Sequence, residues 1–233
     1  MKQLALDIGL PTGPTLERFY VGRNAPVAQH VRDWVAQPVG ASGVGAPVPT
    51  YVWGETGAGK THLLLAVREL LREQGVQLGW MDASTGFPPE FDERWGAVLM
   101  DDVQLYTPMQ QQRAFNWFVN ALNPPSGRPC WVLAAGSAHP ADLQLREDLR
   151  SRLGWGMVFQ LQVPHEAECR AILHSEAAAR GLSLSADVLD YMLNRFSRDL
   201  ASLMQLLDML DDFALRNKRA ITIPLIKTML ETL

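Results

Sequence analysis

Eight residues, Gly54-Glu55-Thr56-Gly57-Ala58-Gly59-Lys60-Thr61, constrain this chain more than any other stretch. They fit G-x-x-x-x-G-K-[ST], a pattern that works only at a sharp turn from a buried strand into a helix. Both flanks comply. Thr50-Tyr51-Val52-Trp53 reads as a short strand, and His62 to Leu71 carries apolar residues at helical spacing. Glycines let the backbone curl and aim its N–H groups at anionic oxygens. The helix N-terminus adds partial positive charge. Lys60 offers a full charge to terminal phosphates, and the Thr61 hydroxyl offers an oxygen to Mg²⁺. His62 follows directly, in the first turn of the helix.

The rest of the chain alternates in step with that start. Leu78–Met81, Ala97–Met100, Trp131–Ala135 and Met157–Leu161 read as further strands, and helices are expected at Met109–Leu122 and Arg146–Arg152. Alternation of this kind predicts a parallel five-stranded sheet covered by helices. Before it lie an extended head, a helix near Val27–Val35 and a Gly/Pro/Val-rich loop from Pro38 to Pro49. At Pro164 the pattern turns wholly helical: Glu166–Arg180, a helix over Ala186–Arg195 capped by Ser185, Leu200–Asn217 and Pro224–Leu233. The expected division is a head over 1–14, an α/β nucleotide-binding domain over 15–163 and a small all-α domain over 164–233.

The third strand closes in Asp101-Asp102. Downstream of a phosphate loop, a strand of apolar residues ending in two acids supplies the second half of the site. Asp101 is placed for the Mg²⁺ shell and Asp102 to orient or deprotonate a water. Composition sets limits. The net charge is −4, which argues against a chain that holds DNA by itself. Two cysteines offer neither a disulfide framework nor metal spacing. An acid at Asp7 and the lack of a continuous apolar core argue against a secretory leader, and no apolar run spans a bilayer, so the expected location is the cytoplasm.

Several runs together carry a resemblance: Phe19-Tyr20-Val21-Gly22-Arg23-Asn24, Gly59 to Leu64, Asp101-Asp102-Val103-Gln104, Ser151-Arg152-Leu153-Gly154-Trp155-Gly156 and Ala220-Ile221-Thr222-Ile223. From Thr15 to Leu233 the chain resembles the ATPase domain of the AAA+ superfamily, in the bacterial initiator clade typified by DnaA. The resemblance implies a P-loop sheet followed by a helical lid, with ADP or ATP and Mg²⁺ as cofactors. It implies that Arg152 is an arginine finger acting in trans on a neighbour's nucleotide; the alternative is a surface ion pair. It sets Arg198 at the second sensor, the alternative being a pair with Asp199 or Asp187. The first sensor falls at Gly136-Ser137, where the family has Asp or Asn; the shorter Ser137 puts rapid hydrolysis in this chain's own site in doubt. Val21, Gly22 and Asn24 match the segment lining the adenine pocket, or form a turn into the first helix.

Two departures narrow the resemblance. Initiators insert helices between the second and third strands and continue past the lid into a DNA-binding domain. Here only Asp82 to Gly96 separates those strands, and Phe87-Pro88-Pro89 is hostile to a helix. The head carries Gln3-Leu4-Ala5-Leu6-Asp7-Ile8, which resembles the peptide by which bacterial proteins dock on the DNA sliding clamp. Gln3 would fix register while Leu4, Leu6 and Ile8 fill a groove. This combination resembles the family's regulatory members. It implies a negative regulator of replication initiation with two partners, the β sliding clamp of DNA polymerase III and DnaA, and with no sequence-specific DNA contact and no membrane. Whether it self-associates stays open. An autonomous ATPase of the initiator or helicase-loader type, and a nucleotide-binding scaffold without a role in hydrolysis, are the alternatives.

Overall fold

A computed structural model describes residues 14–36, 48–123, 127–128, 130–196, 200–217 and 219–231. The chain divides into two compact units. The first gathers the described residues of Met1–Phe19, Pro26–Trp53 and Lys60–Gln160; the second gathers those of Tyr20–Ala25, Gly54–Gly59 and Leu161–Leu233.

The first unit is built on one parallel sheet. Its strands are β1 (Thr50–Trp53), β2 (Leu78–Met81), β3 (Ala97–Met100), β4 (Trp131–Gly136) and β5 (Met157–Gln160), in the order β2-β3-β4-β1-β5. Thr50 pairs with Leu133 on one side and Met157 on the other, which fixes the register of β1 between β4 and β5. The two all-apolar strands are central. Every residue of β3 and β4 is buried, as a strand covered on both faces requires. β5 forms one edge, and its ends face solvent. Helices α1 (Ala25–Val35), α2 (Lys60–Glu73), α3 (Pro108–Leu122) and α4 (Glu147–Leu153) complete the α/β layers. The five strands and these helices fall where hydrophobic pattern places them, with ends shifted by one or two residues.

β2 and β3 are parallel neighbours, so the chain must cross back between them. It does so through residues 82–96 without a helix. Irregular backbone needs partners for its carbonyls. Buried Gln110 on α3 supplies them, its amide donating to the carbonyls of Asp82 at 3.2 Å and Thr85 at 2.8 Å. Its own amide oxygen accepts from the Thr107 N–H at 2.8 Å, closing a capping box at the start of α3. The Trp117 indole N–H donates to Pro89 O at 3.1 Å, and Trp95 meets Trp117 edge-on at 5.0 Å.

Under α1, His30 Nε2 lies 2.8 Å from Thr50 Oγ1, with its ring 5.0 Å from that of Phe159. Burial lowers the His30 pKa below its ordinary value of 6.5, against a smaller upward pull from Asp33. Folding therefore favours the neutral ring. Its contribution is complete above about pH 6.5 and is lost as pH falls through the lower folded-state value. One proton bounds the slope at about 1.4 kcal/mol per pH unit. Urea unfolding of the wild type and a His30→Gln variant, each at about pH 7.5 and pH 5.5, should show the wild type losing more stability on acidification. Equal losses would refute the assignment.

The second unit contains α5 (Glu166–Ala179), α6 (Ala186–Arg195), α7 (Leu200–Asn217) and α8 (Ile223–Glu231). Their apolar faces meet in one core that includes Leu173, Met192, Leu207, Leu210 and Ile226. Ser185 occupies the N-cap position of α6 in extended conformation, but its side chain makes no capping bond. The expected cap is thus present in backbone only: the Ser185 carbonyl accepts from Val188 and Leu189 N–H at 3.1 Å. Thr222 does cap, its hydroxyl oxygen accepting from Leu225 N–H at 3.4 Å and starting α8 one residue before the expected Pro224. Among the described residues no helix is long and apolar enough to cross a membrane.

Candidate nucleotide site and arginine finger

The loop Gly54–Gly59 joins β1 to α2 in the chain. Gly57 and Gly59 sit at φ 83° and 93°, the left-handed region that L side chains avoid, and Ala58 N–H donates to Glu55 O at 3.2 Å. Glu55 and Thr56 precede Gly57 in the same turn. At the start of α2, Lys60 is only 8% exposed although it is a lysine, and Asp101 at the end of β3 is 3% exposed. Burial lowers the Lys60 pKa, opposed by the charges of Asp102 and Asp101. Burial raises the Asp101 pKa, opposed first by a hydrogen bond from the Thr61 hydroxyl. The Asp102 N–H donates to Asp101 Oδ1 at 2.9 Å. Lys60, Thr61, Asp101 and Asp102 are therefore assembled at one end of the sheet. Thr61 and Asp101 present hard oxygen ligands side by side, a set that fits Mg²⁺ completed by phosphate and water.

A further residue enters from outside the expected set. Gln104 Nε2 donates to Asp102 Oδ1 at 3.0 Å, and Gln104 Oε1 accepts from the Ser137 N–H at 3.0 Å. Ser137 thus joins the site through its backbone at the end of β4, with Gln104 as the bridge to Asp102. Beside Thr61 and Asp101 a groove of about 380 Å³ runs past Arg68, Trp80 and Asp82. The Arg68 guanidinium lies 4.8 Å over the Trp80 ring, and the Trp80 indole donates to Asp82 Oδ2 at 2.8 Å. Burial pushes the Asp82 carboxyl up, and hydrogen bonds from Ser84, Trp80 and Thr85 more than offset it, leaving it below its ordinary range.

His62 turns its ring toward the segment before α1: Nε2 lies 3.2 Å from Thr15 O, and the ring is 6.2 Å from that of Phe19. Gly22 and Asn24 belong to a 3-10 turn leading into α1, with Val21 at its N-cap. The buried Asn24 amide donates to Gln162 O at 3.1 Å and accepts from Gln162 N–H at 2.8 Å. Arg152 stands in the last turn of α4, half-buried. Among the described residues no carboxylate pairs with it; its guanidinium carbon lies 5.4 Å from the Trp155 ring centroid. Arg198 and the head residues Gln3, Leu4, Leu6 and Ile8 lie outside the described residues.

This architecture is similar to that of domain III of the replication initiation protein DnaA from Thermotoga maritima. The two superpose with a TM-score of 0.72 at 20% identity, over 99% of this chain and 98% of that one. A family model described as the lid domain of Hda matches residues 166–230, which span α5 to α8 almost to the end. The fold is thus similar to that of DnaA domain III, and residues 166–230 are similar to the lid domain of Hda. AMPPCP-bound DnaA from Aquifex aeolicus is also similar, with a TM-score of 0.66 and 22% identity over 86% of this chain and 66% of that one. The Holliday junction branch migration motor RuvB of Thermotoga maritima matches with a TM-score of 0.62 and 13% identity, over 94% of this chain and 72% of that one. Identities this low establish the shared fold alone, and the lid match concerns residues 166–230.

Proposed function

We propose that this AAA+ protein is a negative regulator of replication initiation, which docks on the DNA sliding clamp and offers Arg152 to ATP held by DnaA. Hydrolysis in DnaA then switches the initiator off. The observation that carries the reading is Arg152 itself: an arginine at a helix end, without a carboxylate among the described residues, in a chain whose lid matches that of Hda. A planar, always-charged guanidinium of this kind stabilises the charge on a transferring phosphoryl group.

In this reading Gly54–Thr61 holds ADP or ATP, with Lys60 on the terminal phosphates and Thr61 and Asp101 holding Mg²⁺. Bound there, the metal would neutralise phosphate charge. Val21, Gly22 and Asn24 would border the adenine, and Arg198 would serve as the second sensor. The deciding experiment is reconstituted hydrolysis of ATP bound to DnaA, with and without clamp loaded on DNA. Stimulation that requires both this protein and the loaded clamp supports the reading.

One observation favours a second reading, an autonomous ATPase. Lys60, Thr61, Asp101 and Asp102 are assembled, and Gln104 holds Asp102 in place. Multiple turnovers of ATP by the purified protein alone would support that reading over the first.

The clamp contact has its own test. Gln3→Ala combined with Leu4→Ala should remove clamp binding in surface plasmon resonance while melting temperature and ADP affinity stay unchanged. A drop in melting temperature would mean instead that the head completes the core of its own domain.

A further inference from the structure

We infer that Trp155 is a positioning residue for Arg152, holding the guanidinium by its face so that its N–H edge is free for phosphoryl oxygens. This rests on the trans role of Arg152 proposed above.

The backbone around Trp155 is tied on both sides. α4 ends at Leu153, and the Trp155 N–H donates back to Arg152 O at 3.1 Å. A Cβ at Gly156 would overlap the Pro49 carbonyl, and the next residue, Met157, donates its N–H to that same carbonyl at 2.8 Å as β5 begins. Gly156 is therefore demanded by close approach. Trp155 is not demanded by packing. It is 62% exposed, and no other ring meets it among the described residues. Among the described residues its ring meets Arg152, whose guanidinium carbon is 5.4 Å from the ring centroid.

The chemistry of that contact matters. A carboxylate would hold an arginine by its N–H fork, the same donors that phosphate needs. An indole holds it by the face of the guanidinium plane and leaves the donors in the edge unused. Arginine loses the freedom of several rotatable bonds when it is fixed, so a half-buried finger without a support samples many directions. A cation–π contact at an exposed site favours the held direction by about two- to five-fold. The effect should therefore appear in the maximal rate of the partner's hydrolysis rather than in the concentration needed to reach it.

The test uses the full chain with Trp155→Phe, Trp155→Leu and Arg152→Ala, each in the clamp-dependent DnaA hydrolysis assay. Trp155→Leu, which keeps apolar bulk and loses the ring, should lower the maximal rate about two- to five-fold with half-saturation unchanged. Trp155→Phe should recover most of that loss. In an Arg152→Ala background Trp155→Leu should have no further effect. Contact is read separately by fluorotryptophan NMR: the Trp155 resonance, assigned by its loss in Trp155→Phe, should move in Arg152→Gln. An unmoved resonance overturns the inference, as does a Trp155→Leu variant with the wild-type maximal rate. If the wild type gives no stimulation, the proposed function fails and the role of Trp155 fails with it. Wild-type stimulation with an indifferent Trp155→Leu overturns the role of Trp155 alone.

Discussion

Arg152→Ala should abolish stimulation of DnaA while leaving the altered protein folded and loaded with nucleotide. Arginines acting in trans on a neighbour's nucleotide supply about 10³–10⁵ in rate. A loss of that size would return ATP hydrolysis in DnaA to its unstimulated level. The fold should tolerate the change, because Arg152 ends a short helix and its specific contact is with the exposed Trp155. Arg152→Lys should not rescue, since an ammonium is a point charge without the planar fork. The measurement is single-turnover hydrolysis of labelled ATP bound to DnaA, with ADP binding and melting temperature of the variant as controls. A variant that loses its own ADP would show that Arg152 serves the nucleotide of its own chain, and the trans assignment would be wrong.

The second large effect is expected at Lys60. Adenine nucleotide that binds only the folded state stabilises by about 2.7 kcal/mol at a hundredfold excess over Kd. For a chain of this length that corresponds to a rise of roughly 5–10 °C in melting temperature. Lys60→Ala should remove the rise altogether. Lys60 is nearly buried beside Asp101 and Asp102, so its loss leaves two carboxylates without their cation exactly where phosphates would arrive. The variant should also melt below the wild type without nucleotide, because buried charge has lost its compensation. Scanning calorimetry with and without ADP and Mg²⁺ separates the two effects. A wild-type melting curve unmoved by saturating nucleotide would reject nucleotide binding at this loop.

Much of this was legible in the sequence because it is encoded locally. Four apolar residues before Asp101-Asp102, in step with the alternation around them, read as a doubly covered strand, and β3 is buried throughout. Gly57 and Gly59 announce a backbone that other residues would resist, and both adopt it. The lid helices follow from apolar spacing alone. What escaped was set by contacts between distant residues. Gln104 stands beside two acids in the sequence, yet its role depends on Ser137, at the end of another strand. The Arg68–Trp80 stack unites a helix and a strand whose spacing carries no signal. Trp155 stands in the run Ser151–Gly156, which the sequence offers only as part of a resemblance. Packing does demand Gly156 in that run, and it leaves Trp155 facing solvent. Ser185 shows the converse, a local signal whose side-chain bond is not formed.

Asp102 holds φ 49° and ψ 44°, and no other non-glycine residue among the described ones has positive φ. Asparagine and aspartate tolerate that conformation because their short side chains bond locally, whereas longer residues pay about 1–2 kcal/mol for it. The backbone thus sorts the side chains this position can carry. Asparagine and glycine would keep the turn without a charge; glutamate would keep the charge and meet the strain. Aspartate is the residue that joins an anion to this turn at least cost, and its carboxylate is the one Gln104 meets.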